Sequence, residues 1–396
     1  MGQAADILAT LPRDKLIAAL RLIDFMLGDA LKMEDADNVL TAMSEHIRAA
    51  GIPLDRATSI VPLLHAEAVA SARFWERGKG PRSFLFPFSE ESGEGYAHSP
   101  AAEVHETGNW VDLWLPDTPD ERYDIVADLK TEGYVHYLMA PVFMKSGMAG
   151  TFSFATKHTD GFSAQDLAFL RAVFPSLAAC QDILATSRAM NEVMRIYVGE
   201  EPRRRILSGD VHRGEVMHIR SAILFADMRR FTDLTSGMEA EEATGLLNRY
   251  YDCLVPSIEE QGGEVLKFIG DGVLAIFRVE EETQAVCCKA LEAARAGLRQ
   301  VTENSLKPRF EVGIALHLGE VAYGNVGSGM RLDYTVIGRD VNLAARLAGL
   351  CGSLNKPLLI SAPFRNMVKA EAVSLGKCDL KGIADPQGVF AVSLEE

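Results

Sequence analysis

Residues 267–277 read KFIGDGVLAIF. Two apolar, strand-forming runs meet there across Gly270, Asp271 and Gly272, and glycines flanking an acid allow a tight strand-to-strand turn. The pattern predicts a β-hairpin with Asp271 at its tip. Working outward, SAILFAD (221–227) is a further apolar strand that ends on an acid, Asp227. Helical stretches over 238–261 and 281–301, strands over 310–325 and on to Ile337, and a helix to Leu350 complete the region. Strand, helix, two strands, helix, strand is a βαββαβ order, which predicts a ferredoxin-like α+β layer with helices on one sheet face.

Upstream, residues 5–75 carry helix-period apolar positions such as Leu16, Leu20, Ile23 and Leu27, then Leu40, Met43 and Ile47, and read as helices. Residues 82–108 are rich in Ser, Gly, Glu and Pro, the composition of a mobile loop. Thr118, Pro119 and Glu121 supply the start of a short amphipathic helix that Gly133 stops. Alternating Tyr137, Met139, Pro141 and Phe143, a Lys145-Ser146-Gly147 turn, and alternating Met148, Gly150, Phe152 and Phe154 predict a second hairpin. Ser163 and Asp166 form a capping box for a long helix that Pro175 should kink. The order hairpin, GFSAQDLAFL (161–170), long helix resembles the C-terminal half of a GAF domain, a small-molecule sensor fold. The helical pattern runs on through Met190, Met194 and Tyr197 as a connecting helix, and the charged stretch GEEPRRRILSGDVHRGE (199–215) marks a boundary. The expected domains are therefore 1–185 (helices and a GAF-like α/β sensor), 186–217 (connecting helix and linker) and 218–396 (the α+β domain).

The 396 residues exceed one small module, and 40 basic against 55 acidic residues give a net charge of −15, which opposes bulk-charge binding to nucleic acid or anionic lipid. No run approaches ~18 consecutive apolar residues and no basic cluster precedes the first apolar run, so the expectation is a cytoplasmic protein without a membrane partner. The six cysteines show no CxxC spacing and read as reduced, buried thiols. The scattered histidines 46, 65, 98, 105, 136 and 158 do not form a ligand set.

Asp227 and Asp271, each at a strand end, could share one pole of the sheet. Paired carboxylates there suit hard divalent cations that keep substrate phosphates in their shell, although either acid alone is more often a turn residue or cap. The segments ADMRRFTDLT, GGEVLKFIGDGVLAIF, GEVAYGNVG and RLDYTVIGRDVNLAARL, in this order, closely resemble four successive motifs of the class III nucleotidyl cyclases, over residues 219–392. The resemblance implies a catalytic domain that dimerises head to tail, with each active site between two protomers.

It further implies that Asp227, Asp271 and the Met228 carbonyl bind two Mg²⁺ or Mn²⁺ ions. One would activate the ribose 3′-OH and the other hold the triphosphate, for in-line attack on the α-phosphorus. Lys267 and Thr335 would read the base, Asn342 would position the ribose, Arg346 would stabilise charge on the transferring phosphate and Lys381 would hold the terminal phosphates. Asn342 and Arg346 are four apart on one helix, hence on one face. A lysine donor and a threonine acceptor match adenine N1 and N6, whereas guanine reverses that edge. Opposed donors in a buried site cost ~1–3 kcal/mol each. The leading expectation is thus an adenylyl cyclase that converts ATP to 3′,5′-cyclic AMP and pyrophosphate as a homodimer. Its N-terminal domain would regulate it through an unidentified small ligand. Guanylyl cyclase and a sensor module with a silent cyclase domain are the alternatives.

Overall fold

Residues 2–65, 67–280, 282–304 and 307–394 are described in a computed structural model. The chain divides into two units, Met1–Ile196 and Tyr197–Glu396. The segment expected to be a linker, 186–217, forms no unit of its own: its helical part to Ile196 belongs to the first unit and the remainder to the second.

In the first unit the apolar periodicity near the N-terminus forms α1 (Gly2–Thr10), α2 (Arg13–Leu27) and α3 (Ala36–Ala49). It does not extend to residue 75. Residues 56–76 instead make β1 (Arg56–Pro62) and β2 (Ala68–Glu76), followed by β3 (Arg82–Pro87). These central strands are covered on both faces, so the clean alternation that marks a half-exposed strand is missing from RATSIVP and AVASARFWE. The expected mobile loop over 82–108 is likewise ordered as β3, α4 (Glu90–Ala97) and α5 (Pro100–Thr107). Its polar residues are caps: Ser89 Oγ accepts from the Ser92 N–H at 3.1 Å, Pro100 opens α5 and Gly108 ends it at φ 69°. Because α4 buries no residue, its composition looks like that of a loop.

β4 (Val111–Trp114) precedes a 3₁₀ turn at Asp120–Arg122 and α6 (Ile125–Thr131), so the expected helix starts later than its Thr118 signal. β5 (His136–Phe143) and β6 (Ala149–Thr156) form the expected hairpin. The six strands order as β3-β2-β1-β6-β5-β4. α7 (Ala164–Val198) closes the unit, and Ser163 and Asp166 cap it reciprocally at 2.9 and 3.3 Å. By length and composition alone α7 could cross a membrane, yet it buries Phe169, Leu170, Val173 and Leu177 against the core that α2, α3 and the sheet share.

The second unit opens with α8 (Glu200–Leu207), then β7 (Val216–Met228), a short α9 (Phe231–Thr235), α10 (Ala240–Glu260), β8 (Glu264–Ile269), β9 (Gly272–Arg278), α11 (Thr283–Glu303) and β10 (Val312–Gly327). Residue 281, the expected start of α11, and residues 1, 395 and 396 of the expected domain limits lie outside the described residues. β10, β7, β9 and β8 are adjacent in that order, the 4-1-3-2 arrangement of a ferredoxin-like sheet. Ala222, Leu224 and Ala226 of β7 pack with Tyr250 and Leu254 of α10 and Ala290 and Ala294 of α11. Full burial of each leucine there is worth about 1.5–3 kcal/mol. After β10 come β11 (Leu332–Ile337), which pairs with β10, α12 (Arg339–Ser353), β12 (Leu358–Ser361), α13 (Ala362–Arg365), β13 (Ala372–Cys378) and β14 (Gln387–Val392). Leu347, Ala348 and Cys351 of α12 pack on Ala315 of β10 and Leu359 of β12. Thiols 180, 253, 287 and 351 are buried and reduced, whereas Cys288 is exposed.

Candidate active site

Asp227, the penultimate residue of β7, lies directly opposite Gly272, the first residue of β9, so the turn between β8 and β9 places Asp271 beside Asp227. The Met228 N–H donates to the Asp271 carbonyl at 3.3 Å, which ties the two strand ends together. Gly270 holds the left-handed φ of 62° that this tight turn requires, and its carbonyl accepts from the Tyr251 hydroxyl of α10 at 2.6 Å. On the other side, Arg229 leaves the strand to donate to Glu311 at 3.1 Å and to the Cys351 carbonyl at 3.1 Å. The acidic pair therefore sits on a braced hairpin and a braced strand end.

Electrostatically the pair is unfinished. Burial, then the charge of Asp271, raises the Asp227 carboxyl from the usual range to about 6. No cation of the described chain relieves this repulsion. Two apposed carboxylates are hard-oxygen donors of the kind that hold a divalent cation. Among the described residues no group of three or more His, Cys, Asp or Glu is placed to hold a metal ion.

The remaining expected residues fall into two groups. Lys267 on β8 is half-buried and forms an ion pair with Asp333 on β11, and Thr335 lies two residues further along the same strand, opposite Gly324 of β10. Asp333 was not singled out from the sequence, although side chains two apart on a strand share a face and Thr335 pointed to it. Asn342 and Arg346 are exposed on α12, one turn apart, and Lys381 is exposed in the turn between β13 and β14. None of these side chains hydrogen-bonds to or pairs with Asp227 or Asp271 among the described residues.

Sequence reasoning also missed a partly buried polar cluster that links α8, β8, β9 and β10. Arg278 of β9 donates to Glu201 of α8 at 3.3 Å and to Glu264 of β8 at 3.4 Å, and Tyr323 of β10 donates to Glu264 at 2.7 Å. The only sequence signal was the charged stretch that had been read as linker. In the first unit, His136 is a satisfied core residue: Nε2 lies 2.7 Å from Asp112 and Nδ1 accepts from the Phe162 N–H at 3.1 Å.

Residues 217–388 match the family model for the adenylate and guanylate cyclase catalytic domain. An adenylate cyclase of Anabaena cylindrica is 36% identical over 167 residues, 40% of this chain and 33% of that protein. The chain thus matches about a third of the length of this curated relative. Among solved structures, the adenylyl cyclase CyaB from P. aeruginosa is 28% identical, with 45% of this chain and 96% of that chain covered and a TM-score of 0.41. The guanylyl cyclase Cya2 is also 28% identical, over 45% and 93% of the two chains, with a TM-score of 0.40. The segment that carries the apposed Asp227 and Asp271 is thus the part of the chain that is similar to the adenylate and guanylate cyclase catalytic domain.

Proposed function

We propose that this chain is an adenylyl cyclase that converts ATP to 3′,5′-cyclic AMP and pyrophosphate as a homodimer. The observation that carries the reading is the Asp227–Asp271 pair, two carboxylates that repel each other at neutral pH within a cyclase domain. Asp227, Asp271 and the Met228 carbonyl would hold Mg²⁺ or Mn²⁺ ions, two per site, which would supply charge neutralisation at the triphosphate and acidify the ribose 3′-OH. Asn342 holds the ribose so that the 3′-oxygen faces the α-phosphorus, and the planar Arg346 guanidinium meets the charge that grows on the transferring phosphate. Lys381 binds the terminal phosphates. Lys267 donates to adenine N1 and the Thr335 hydroxyl accepts from N6. Exposure of Asn342, Arg346 and Lys381 in a single chain supports a site completed by a second copy. The first unit is the regulatory input, acting through α7 by shifting the dimer toward its aligned state.

The test is to incubate the full chain with Mn²⁺ and either ATP or GTP and to quantify both cyclic nucleotides, with Asp271→Ala as the blank. Cyclic AMP that disappears in the variant is the expected result. Cyclic GMP in excess overturns the base assignment. No product from either nucleotide favours a binding module with a silent cyclase domain.

A further inference from the structure

The first turn of α12 is tethered in an unusual way. Its N-cap, Gly338, contributes no side-chain hydrogen bond. The tether is Asp340, whose Oδ2 accepts from the Glu320 N–H of β10 at 2.8 Å. Gly319, just before, makes room for it: a methyl group at 319 would collide with the Asp340 carboxylate. The other carboxylate oxygen faces His317 Nε2 at 3.6 Å, and His317 Nδ1 lies 2.8 Å from Ser361 Oγ at the end of β12. His317 is 3% exposed, and its Nε2 has no closer polar partner among the described residues. Burial favours the neutral ring, and a neutral ring that accepts from Ser361 carries its proton on Nε2, toward Asp340. Strand β10, helix α12 and strand β12 are thereby joined through three side chains.

Asn342 and Arg346 stand two and six residues beyond Asp340 on the same helix, with exposed side chains that nothing else in the described chain holds. Their placement depends on where the first turn of α12 docks. We propose that Asp340 and His317 are positioning residues that lock α12 against β10 and so aim Asn342 and Arg346 at the ribose and the transferring phosphate, an inference that rests on the cyclase reading above. Groups that act on the reacting phosphate tolerate little displacement, since a shift near 1 Å can cost ~100-fold in rate. Loss of the tether therefore lowers kcat and leaves initial ATP capture, by Lys267 and Lys381, nearly intact.

The test compares the full chain with Asp340→Ala, Asp340→Asn and Arg346→Ala by steady-state kinetics with Mn²⁺ and ATP, melting temperature and amide hydrogen exchange. Expected for Asp340→Ala are faster exchange in residues 339–346, a kcat roughly 10- to 100-fold lower and a KM within about twofold. Asp340→Asn keeps an acceptor for the Glu320 N–H and stays within about threefold of wild type. In the Arg346→Ala background the Asp340→Ala penalty shrinks, because one of the two aimed groups is gone. If Asp340→Ala does not fold, Asp340→Ser, too short to reach Glu320, repeats the comparison. A kcat loss undiminished by Arg346→Ala, or a loss confined to KM, overturns the proposal. The two readings fail separately: an inactive wild-type chain overturns the cyclase assignment, whereas unaltered exchange in α12 overturns the tether in an active or inactive chain.

Discussion

Lys267 of β8 donates to Asp333 of β11, which brings the lysine assigned to the base onto the strand that carries Thr335. An ammonium has three donors, so Asp333 takes one and leaves two for a ligand. Asp333 thus orients Lys267 without silencing it. Asp333→Ala should raise the KM for ATP about 5- to 10-fold, the value of one charge-assisted orienting hydrogen bond, with little change in kcat. Initial-rate kinetics on the full chain check this. A kcat fall with unchanged KM would mean that the pair braces the strands and does not serve the base.

The same pair constrains any switch of base. A glutamate at position 267 offers the acceptor that guanine N1–H requires, but it would face the Asp333 carboxylate across the strands and be repelled. Lys267→Glu alone should therefore lose ATP turnover by more than about 100-fold without gaining GTP turnover. Lys267→Glu combined with Asp333→Asn should recover measurable cyclic GMP formation. Product analysis with both nucleotides decides, and GTP turnover by the single variant would show that Asp333 moves out of the site.

The apposition of Asp227 and Asp271 opposes stability at neutral pH. With the Asp227 carboxyl raised to about 6, the folded domain binds a proton more tightly than the unfolded chain does. The penalty is absent below the ordinary carboxylate range and complete above pH 6, so metal-free stability falls as pH rises between about 4 and 6. Asp227→Asn removes the buried charge. In metal-free buffer at pH 7.5 it should raise the melting temperature of the second unit by about 2–4 °C, on the order of 1 kcal/mol after allowance for solvent screening. Activity should vanish in the same variant. A lowered melting temperature would mean that the carboxylate holds bonds the asparagine cannot make.

Cations and protons compete for this pair. Mn²⁺ should stabilise the wild-type chain against heat at pH 7.5, and the shift should shrink as pH drops through 6 and Asp227 takes its proton. Asp271→Ala should abolish the Mn²⁺ shift at every pH. Thermal melts with Mn²⁺ and with chelator, across pH 5 to 8, provide the measurement. A shift that survives in Asp271→Ala would place the cation elsewhere.

How far the sequence carried these conclusions depended on how local each signal was. Gly270, Asp271 and Gly272 announce a hairpin because the turn chemistry is contained in three adjacent residues, and the structure places the turn there. The βαββαβ order was legible because each helix of the second unit shows one apolar stripe and each strand a compact apolar run. The 56–76 region was misread because its strands are covered on both faces, which erases the period of two that distinguishes a strand. The 82–108 region was misread because its caps and small residues look the same in a loop as at the ends of two short helices. At the site, Asp227 and Asp271 carried their own signals. Asp333, Asp340 and Arg278 did not, since each acquires its role from a partner 66, 20 or 77 residues away in the chain, a distance no local pattern encodes.

Arg278 offers the clearest test of that hidden layer. Its guanidinium lies 4.7 Å over the Tyr323 ring and reaches both Glu201 and Glu264, while Glu264, raised by burial, also accepts from the Tyr323 hydroxyl. Removal of the cation strands two partly buried carboxylates. Arg278→Ala should destabilise the second unit by about 2–4 kcal/mol near pH 8, somewhat below the cost of breaking a fully buried pair. Without Arg278, the Glu264 carboxyl rises further, so at pH 5 it takes a proton more readily and the deficit should narrow. Arg278→Lys keeps the charge but loses the fork, and should fall between the two. Denaturant unfolding at pH 5 and pH 8 separates the contributions: a deficit that narrows at low pH identifies stranded charge as the cause, whereas an equal deficit at both identifies lost packing over Tyr323.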